Sequence, residues 1–323
     1  MTEQSQSLAT LTPKLAIKKA WALRLPLFQR RDSDAFRIFH GFEEGIDGVI
    51  IEKFGDVAII HFKRDISLLI DEIVSTLLTL HPFELIIAKA HSSLKMKMRQ
   101  QISVVHGLIE DKSYWAKEFA VRYLVDPSAV HNCGLYLDAR PVREWLLANS
   151  KDRRILNLFS FTGSLGLAAS VGDAKSVAHI DKTAYLVTHI QNSFGENGRP
   201  FDKRDFIQGD IYKHLPKAVK AGRKFDGIIL DPPPKVFNSG YAQNKPKGQD
   251  FSQLVALCKQ LLNSGGWLIT MFHRFEKTWD QFEQEIISAS DGKLIPKLRF
   301  MSDEDFPEAN ERNKLRVSIF FNQ

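Results

Sequence analysis

Short apolar runs punctuated by turn residues open the chain, and alternating strand and helix patterns fill its second half. From Phe36 the stretches Phe-Arg-Ile-Phe-His-Gly, Gly48 to Asp56 and Val57 to Phe62 read as strands, the last two joined by a tight Gly-Asp turn. Ser67 to Leu80 has helical apolar spacing with Asp71 and Glu72 near its first turn, and Glu84 to Ala90 returns to strand character. Two further β-like runs, 104–109 and 119–125, precede Asp126-Pro127-Ser128, whose turn chemistry marks a boundary. Beyond it, strands at 154–160, 176–181, 205–210, 225–231 and 267–272 alternate with helices at 164–171, 183–194, 211–221 and 250–262. Alternation of this kind predicts a parallel sheet with helices on both faces. The end breaks the rhythm: 293–301 and 315–321 are strands separated by a charged loop with no obvious helix, which predicts an antiparallel edge pair. The expected division is a basic N-terminal segment (1–34), a small α+β domain (35–127) and an α/β domain (128–323).

Composition narrows the class. With 44% hydrophobic and 25% charged residues the chain is neither disordered nor fibrous. A net charge of +6 fits a polyanionic partner. The two cysteines, Cys133 and Cys258, are far apart, in no CxxC spacing and near no His cluster, so neither a disulfide framework nor a metal site is expected. Met1 to Thr12 lacks the layout of a signal peptide and no stretch approaches the length of a membrane span, so a cytoplasmic location without membrane association is expected. The oligomeric state is left open.

Chemistry concentrates at the ends of the predicted parallel strands. Phe225-Asp-Gly-Ile-Ile-Leu-Asp231 delivers a carboxylate onto Pro232-Pro233-Pro234, a run without amide donors whose carbonyls stay free to accept hydrogen bonds. Asn157-Leu-Phe-Ser-Phe-Thr-Gly163-Ser-Leu-Gly166 follows the first strand of the alternating series and opens a helix. It is not GxGxxG, and Phe159 and Phe161 crowd it, so a nucleoside without phosphates fits better than a dinucleotide. Asp181, at the tip of the next strand, can accept both ribose hydroxyls, and Asp210, at the tip of the third, can accept from an adenine amino group. Asp is also a good helix cap, and each of these two acids can serve as one.

These motifs resemble those of the class I S-adenosylmethionine-dependent methyltransferases, and within them the ribosomal RNA large-subunit methyltransferases I and K. The resemblance spans about residues 35 to 320. It is carried by Phe39 to Asp56, by Gly134-Leu-Tyr-Leu-Asp-Ala-Arg140, by Asn157 to Gly163 and by Asp231-Pro-Pro. It implies a Rossmann-like methyltransferase domain, a mostly parallel sheet with an antiparallel C-terminal edge strand, preceded by a small α+β domain that binds RNA. S-adenosyl-L-methionine is the implied cofactor and RNA, ribosomal above all, the implied partner. By that likeness Tyr136, Asp138 and Arg140 lie along the methionine side of the cofactor. Asn157, Phe159, Phe161, Thr162 and Gly163 wrap it, Asp181 with Lys182 takes the ribose, and Asp210 with Ile211 takes the adenine.

Three departures shape the expected reaction. Members often begin with an additional small RNA-binding domain, whereas about 35 residues precede Phe36 here; Lys14, Lys18, Lys19, Arg24, Arg30 and Arg31 in that segment are basic enough to touch phosphates. The cytosine-C5 members carry a nucleophilic cysteine after the fifth strand, where this chain has His273, so C5 chemistry is disfavoured. Pro234 and Lys235 intervene between Asp-Pro-Pro and Phe237, the aromatic that would stack on a planar acceptor. The expected reaction is methylation of a nitrogen of an RNA base. Asp231 and the Pro232 carbonyl hold the amine, His273 serves as a proton acceptor, and Pro233, Phe237 and Arg274 line the acceptor side. A C5-cytosine RNA methyltransferase, a small-molecule methyltransferase and a non-catalytic RNA-binding factor are the alternatives. Lys95 to Arg99, Lys245 to Lys247 and Lys293 to Arg299 are candidate lining for an RNA path.

Overall fold

Thr12 accepts the Leu15 N–H (3.3 Å) and Pro13 occupies the first helical position, and these two residues start α1 (Pro13–Phe28). The computed structural model describes residues 12–29, 32–91, 102–130, 132–237, 250–272 and 276–323. Its first compact unit comprises Met1–Ala120, Val125–Cys133 and Glu304–Ala309; its second comprises Val121–Leu124, Gly134–Asp303 and Asn310–Gln323.

In the first unit, α1 is followed by β1 (Ala35–His40), β2 (Val49–Phe54), β3 (Val57–Phe62), α2 (Ile70–Leu80), β4 (Leu85–Ala90), β5 (Ile102–His106) and β6 (Tyr114–Glu118). The sheet order is β1-β2-β3-β4-β5, antiparallel except for β3 and β4, which α2 joins as a parallel crossover. One face packs Ile38, Ile51, Ala58, Ile60 and Ile86 against Ala16, Ile17, Ala20 and Trp21 of α1 and Ile73 and Leu77 of α2. α1 is therefore not separate from this sheet, because it supplies Ala16, Ile17, Ala20 and Trp21 to the core. Arg24 does not meet phosphates either: it is buried, paired with Glu44, and donates to the Asp305 carbonyl.

The other face carries charge. Arg37 donates to Glu52 Oε1 (2.6 Å), His61 Nε2 stands 3.2 Å from Glu52 Oε2, and Arg37 Nη1 is 2.9 Å from His40 Nδ1. His40 Nε2 is 2.7 Å from Glu308 Oε1. Burial alone would push the Glu52 carboxyl up, but Arg37 and His61 hold it down to about 2.

The second unit begins with part of β7 (Val121–Val125), then α3 (Arg140–Asn149), β8 (Arg154–Leu158), α4 (Ser164–Val171), β9 (Ser176–Asp181), α5 (Leu186–Glu196), β10 (Phe206–Gln208) and α6 (Ile211–Lys220). It continues through β11 (Phe225–Leu230), a helical turn α7 (Pro234–Phe237), α8 (Phe251–Leu261), β12 (Leu262–Phe272), α9 (Trp279–Ala289), β13 (Leu294–Met301) and β14 (Arg316–Asn322). The seven-stranded order is β10-β9-β8-β11-β12-β14-β13. The C-terminal strand β14 runs antiparallel to both neighbours as expected, but it lies one place inside the edge, which β13 takes. Neighbouring strand residues point to opposite faces: Leu156, Ile228 and Leu268 pack with α6, α8 and α9, whereas Ile155, Ile229 and Ile269 pack with α3 and α4. Gly227 is glycine because a methyl there would stand 2.3 Å from the Trp267 ring.

Three helices (α1, α3 and α9), the helical turn α7 and the strand β6 escape the sequence pattern. α9 does carry a local signal, the Thr278/Gln281 capping box. α3 follows the junction motif directly, and β6 is a five-residue strand that ends in two charged residues, Lys117 and Glu118.

His179 on β9 is fully buried, and burial holds its imidazole down to about 3. The unfolded chain takes up this proton near pH 6.5 while the folded chain does not, so stability falls as pH drops from about 6.5. In urea titrations between pH 7 and 5, His179→Asn should reduce the slope of stability against pH by about one proton. An unchanged slope would contradict the assignment.

Candidate active site

Four parallel strands, β10, β9, β8 and β11, lie side by side, so their carboxyl ends share one edge of the sheet. Gln208 pairs with Asp181, Ile180 with Leu158, and Leu158 with Leu230. Asp181, the loop from Phe159 and Asp231 therefore leave three neighbouring strands at nearly one level, and Asp210 follows two residues after Gln208. The order reverses at β8, with β9 and β10 to one side and β11 and β12 to the other. Open α/β sheets bind ligands at this switch point.

The loop after β8 is tightly folded. Phe159, Phe161 and Gly163 have φ of 55°, 47° and 77°, a left-handed region that costs a phenylalanine strain. Hydrogen bonds hold it: Ser160 N–H to the Ile180 carbonyl (3.3 Å), Gly163 N–H to the Ser160 carbonyl (2.8 Å) and Phe161 N–H to Asp181 Oδ2 (3.0 Å). The Thr162 hydroxyl donates to the Gly134 carbonyl (2.5 Å), fastening the loop to the junction motif. A methyl at Gly163 would stand 2.8 Å from Ile190 Cγ1, so nothing larger than glycine starts α4 here.

Asp181 Oδ1 also accepts the Thr183 N–H (3.0 Å), which leaves one lone pair on each oxygen for a ligand hydroxyl. Asp210 Oδ1 accepts the Tyr212 N–H (3.0 Å) and caps α6, while Oδ2 pairs with exposed Lys182 (3.1 Å). Burial would raise the Asp210 carboxyl, but Lys182 and the Tyr212 N–H hold it below its ordinary value. Helix capping and a place on the ligand rim thus coexist in one side chain.

On the other side of β8, half-buried Asp231 follows β11 directly, with Pro232 buried and Pro233 half-buried. Burial and the neighbouring Asp138 carboxylate push the Asp231 carboxyl up to about 7. The junction motif and the Asp-Pro-Pro strand are therefore close in space. Tyr136 is exposed with its ring centroid 5.7 Å from that of Phe161, and buried Arg140 donates to Asp303 Oδ2 (3.0 Å).

Other predicted residues have different surroundings. Asn157 is buried within β8, its Nδ2 3.4 Å from His179 Nδ1, so its side chain braces two strands beneath the loop. Phe159 packs on the hydrophobic core and Ile211 is part of it, which leaves Ile211 only its backbone to offer a ligand. His273, Arg274, Lys95 to Arg99, Lys245 and Lys247 lie outside the described residues, as does the Phe237 side chain. Arg299 is bound by Glu283 (2.6 Å) and Asp280, so it is not a free cation for an RNA path. Asp303 and His179 were missed by the sequence; Asp303 lies 163 residues from its partner, beyond any local signal.

The sequence profile of the S-adenosylmethionine-dependent methyltransferases matches residues 76–320, and the chain belongs to that family. Among individual proteins it is similar to "Ribosomal RNA large subunit methyltransferase I" of Klebsiella pneumoniae subsp. pneumoniae, 28% identical over 295 residues, 89% of this chain and 73% of that one. Among solved structures it resembles a putative methyltransferase complexed with SAH, at 22% identity and a TM-score of 0.82 over 96% of this chain and 82% of that one. A tRNA m1G37 methyltransferase of M. jannaschii shares the fold at 15% identity and a TM-score of 0.55, over 84% of this chain and 72% of that one.

S-adenosylmethionine is the cofactor of this family, and the donor set at the strand ends suits it. A carboxylate with two free lone pairs suits a vicinal diol, a second carboxylate suits an exocyclic amine, and the loop after β8 lies beside the first of them. Among the described residues no group of His, Cys, Asp and Glu could hold a metal ion, and no helix is long and apolar enough to cross a membrane.

Replacing Asp181 by Ala removes the acceptor of two loop N–H groups, each worth about 1.5–3 kcal/mol when the acceptor is charged. Affinity for S-adenosylhomocysteine, measured by calorimetry, should fall by at least about tenfold. Affinity equal to wild type would show that the loop is not held this way.

Proposed function

We propose that this methyltransferase modifies RNA, with ribosomal RNA the first substrate to test, and that the acceptor atom is a base nitrogen. The observation that carries the nitrogen reading is Asp231: a carboxyl next to Asp138 at the end of β11, followed by Pro232, whose carbonyl is left to a ligand, whereas the Pro233 carbonyl, contrary to expectation, accepts the Val236 N–H (2.9 Å). The kinship with enzymes named for ribosomal RNA supports the nucleic-acid substrate. When bound, the cofactor supplies an electrophilic methyl group on a good leaving group, so the protein gains most from alignment and exclusion of water.

In this reading Asp231 and the Pro232 carbonyl accept hydrogen bonds from the acceptor amine and aim its lone pair. Tyr136, Asp138 and Arg140 line the methionine side, with Asp303 fixing the Arg140 guanidinium. Phe161, Thr162 and Gly163 shape the wall, Asp181 takes the ribose, and Asp210 takes the adenine amine with Lys182 beside it. Pro233, Phe237 and Arg274 belong to the acceptor side, and His273 is the candidate proton acceptor. The C5-cytosine alternative is disfavoured further by burial of both cysteines: Cys258 sits in the α8 core, its thiol pushed up by burial, and Cys133 is 4% exposed.

Asp231→Ala should leave S-adenosylhomocysteine affinity within about threefold of wild type while turnover falls by about 10²–10³, the range found when a transition-state hydrogen bond is lost. Equal loss of both would move Asp231 to the cofactor side. Because the amine-accepting form is the carboxylate and the carboxyl titrates near 7, turnover should rise with pH through about 7. Asp231→Asn should abolish that rise, and a rise that persists in it would assign the titration to another group such as His273. The substrate is identified by mass spectrometry of ribosomal and transfer RNA nucleosides from a deletion strain, followed by remethylation of that RNA by purified protein. Full nucleoside modification in the deletion strain would overturn the RNA reading.

A further inference from the structure

A run of positive charge with no carboxylate in it lies on α6. From Ile211 to Lys224 the sequence holds Lys213, Lys217, Lys220, Arg223 and Lys224 and no carboxylate. Ile211 and Leu215 turn into the core, which puts Lys213, Lys217 and Lys220, spaced i, i+4 and i+7, on the opposite, exposed face. The cations elsewhere are often spent on acids, as in Arg37 with Glu52, Arg140 with Asp303 and Arg299 with Glu283. Lys217 and Lys220 have no acidic partner among the described residues, and Lys213 has only the longer-range pull it exerts on Asp210.

Helix electrostatics explain part of this. Lysines in the last turn complement the negative end of the helix, which accounts for Lys217 and Lys220. The same argument runs against Lys213, the third residue of the helix, where a cation opposes the dipole. Lys213 is also the one beside Asp210, at the ligand rim. At about 1.5 Å per residue the three ammonium groups rise over about 10 Å along the axis, a length that covers about three phosphates of one nucleic-acid strand.

We infer that the exposed face of α6 is a track for the phosphodiester backbone of the RNA substrate, running from the rim at Lys213 to Lys220 and its flanking Arg223. The inference rests on the RNA reading above and names a surface that the basic segments of the sequence did not include. Phosphate contacts of this kind set register and add affinity without reading bases.

The test is fluorescence anisotropy of a labelled RNA hairpin of about 30 nucleotides against salt concentration, for wild type, Lys213→Gln/Lys217→Gln/Lys220→Gln and a control, Lys151→Gln/Lys175→Gln, two exposed lysines at the amino ends of β8 and β9. Each phosphate contact contributes about 0.7–0.9 to the slope of log K against log salt, so the triple variant should lose about two units of slope and the control none. Calorimetry with S-adenosylhomocysteine should be the same for all three proteins, which shows that the fold persists. RNA binding by wild type with an undiminished slope in the triple variant overturns the α6 track and leaves the RNA reading standing. Absence of wild-type RNA binding at about 50 mM salt overturns the RNA reading and the track with it. Loss confined to binding of phosphatidylglycerol vesicles, with RNA unaffected, also overturns the track.

Discussion

The carboxylate of Asp181 is the fastening on which the candidate site depends. It ends β9, yet one of its oxygens holds the Phe161 N–H of the loop that leaves β8, and the other holds the Thr183 N–H of its own chain. Two strand ends are thereby joined by a charge with hydrogen-bonding capacity left over. Without it a loop with two phenylalanines in left-handed conformation would have less to offset its backbone strain. Thr162 and Ser160 add further ties, to Gly134 and Ile180, so the loop is anchored on three sides before any ligand arrives. Preorganisation of this kind lowers the entropy that binding would otherwise cost.

Electrostatics divide the strand edge into two halves. On the side of β9 and β10 both acids accept backbone N–H groups, and at Asp210 Lys182 and the Tyr212 N–H hold the carboxyl below its ordinary value. On the side of β11 the relation is reversed, because Asp138 repels the charge on Asp231 and burial removes water that would have shielded it. A cation placed between Asp138 and Asp231 would relieve that repulsion. Similar carboxylates on one sheet edge thus take different protonation behaviour from their surroundings.

The first unit shows how charge can also be structural. Arg37, Glu52, His61, His40 and Glu308 form a connected chain across one sheet face, and Asp305, Phe306 and Glu308 tie the loop at Glu304–Ala309 to Arg37 and His40 of that chain, with Arg24 adding a further bond to the Asp305 carbonyl. Removing Arg37 would leave the buried Glu52 carboxylate with only His61 to offset its burial.

Much of the second unit was legible from periodicity, because buried parallel strands and amphipathic helices write their burial into local spacing: the bounds of β8, β9, β10, β11, α4 and α8 follow the apolar runs closely. The strand ends and the acids that follow them were legible for the same reason. Long-range pairing was not. The insertion of β14 between β12 and β13, the return of Glu304–Ala309 to the first unit, the Arg140–Asp303 pair and the approach of Asp138 to Asp231 each join segments far apart in the chain. Arg24 makes the point at a single residue: beside Lys18 and Lys19 it looks like surface charge, and only packing reveals that Glu44 claims it. Local spacing determines which face of an element is apolar, but the partner of a polar side chain is decided by where the folded chain brings a complementary group, and no neighbour in sequence records that.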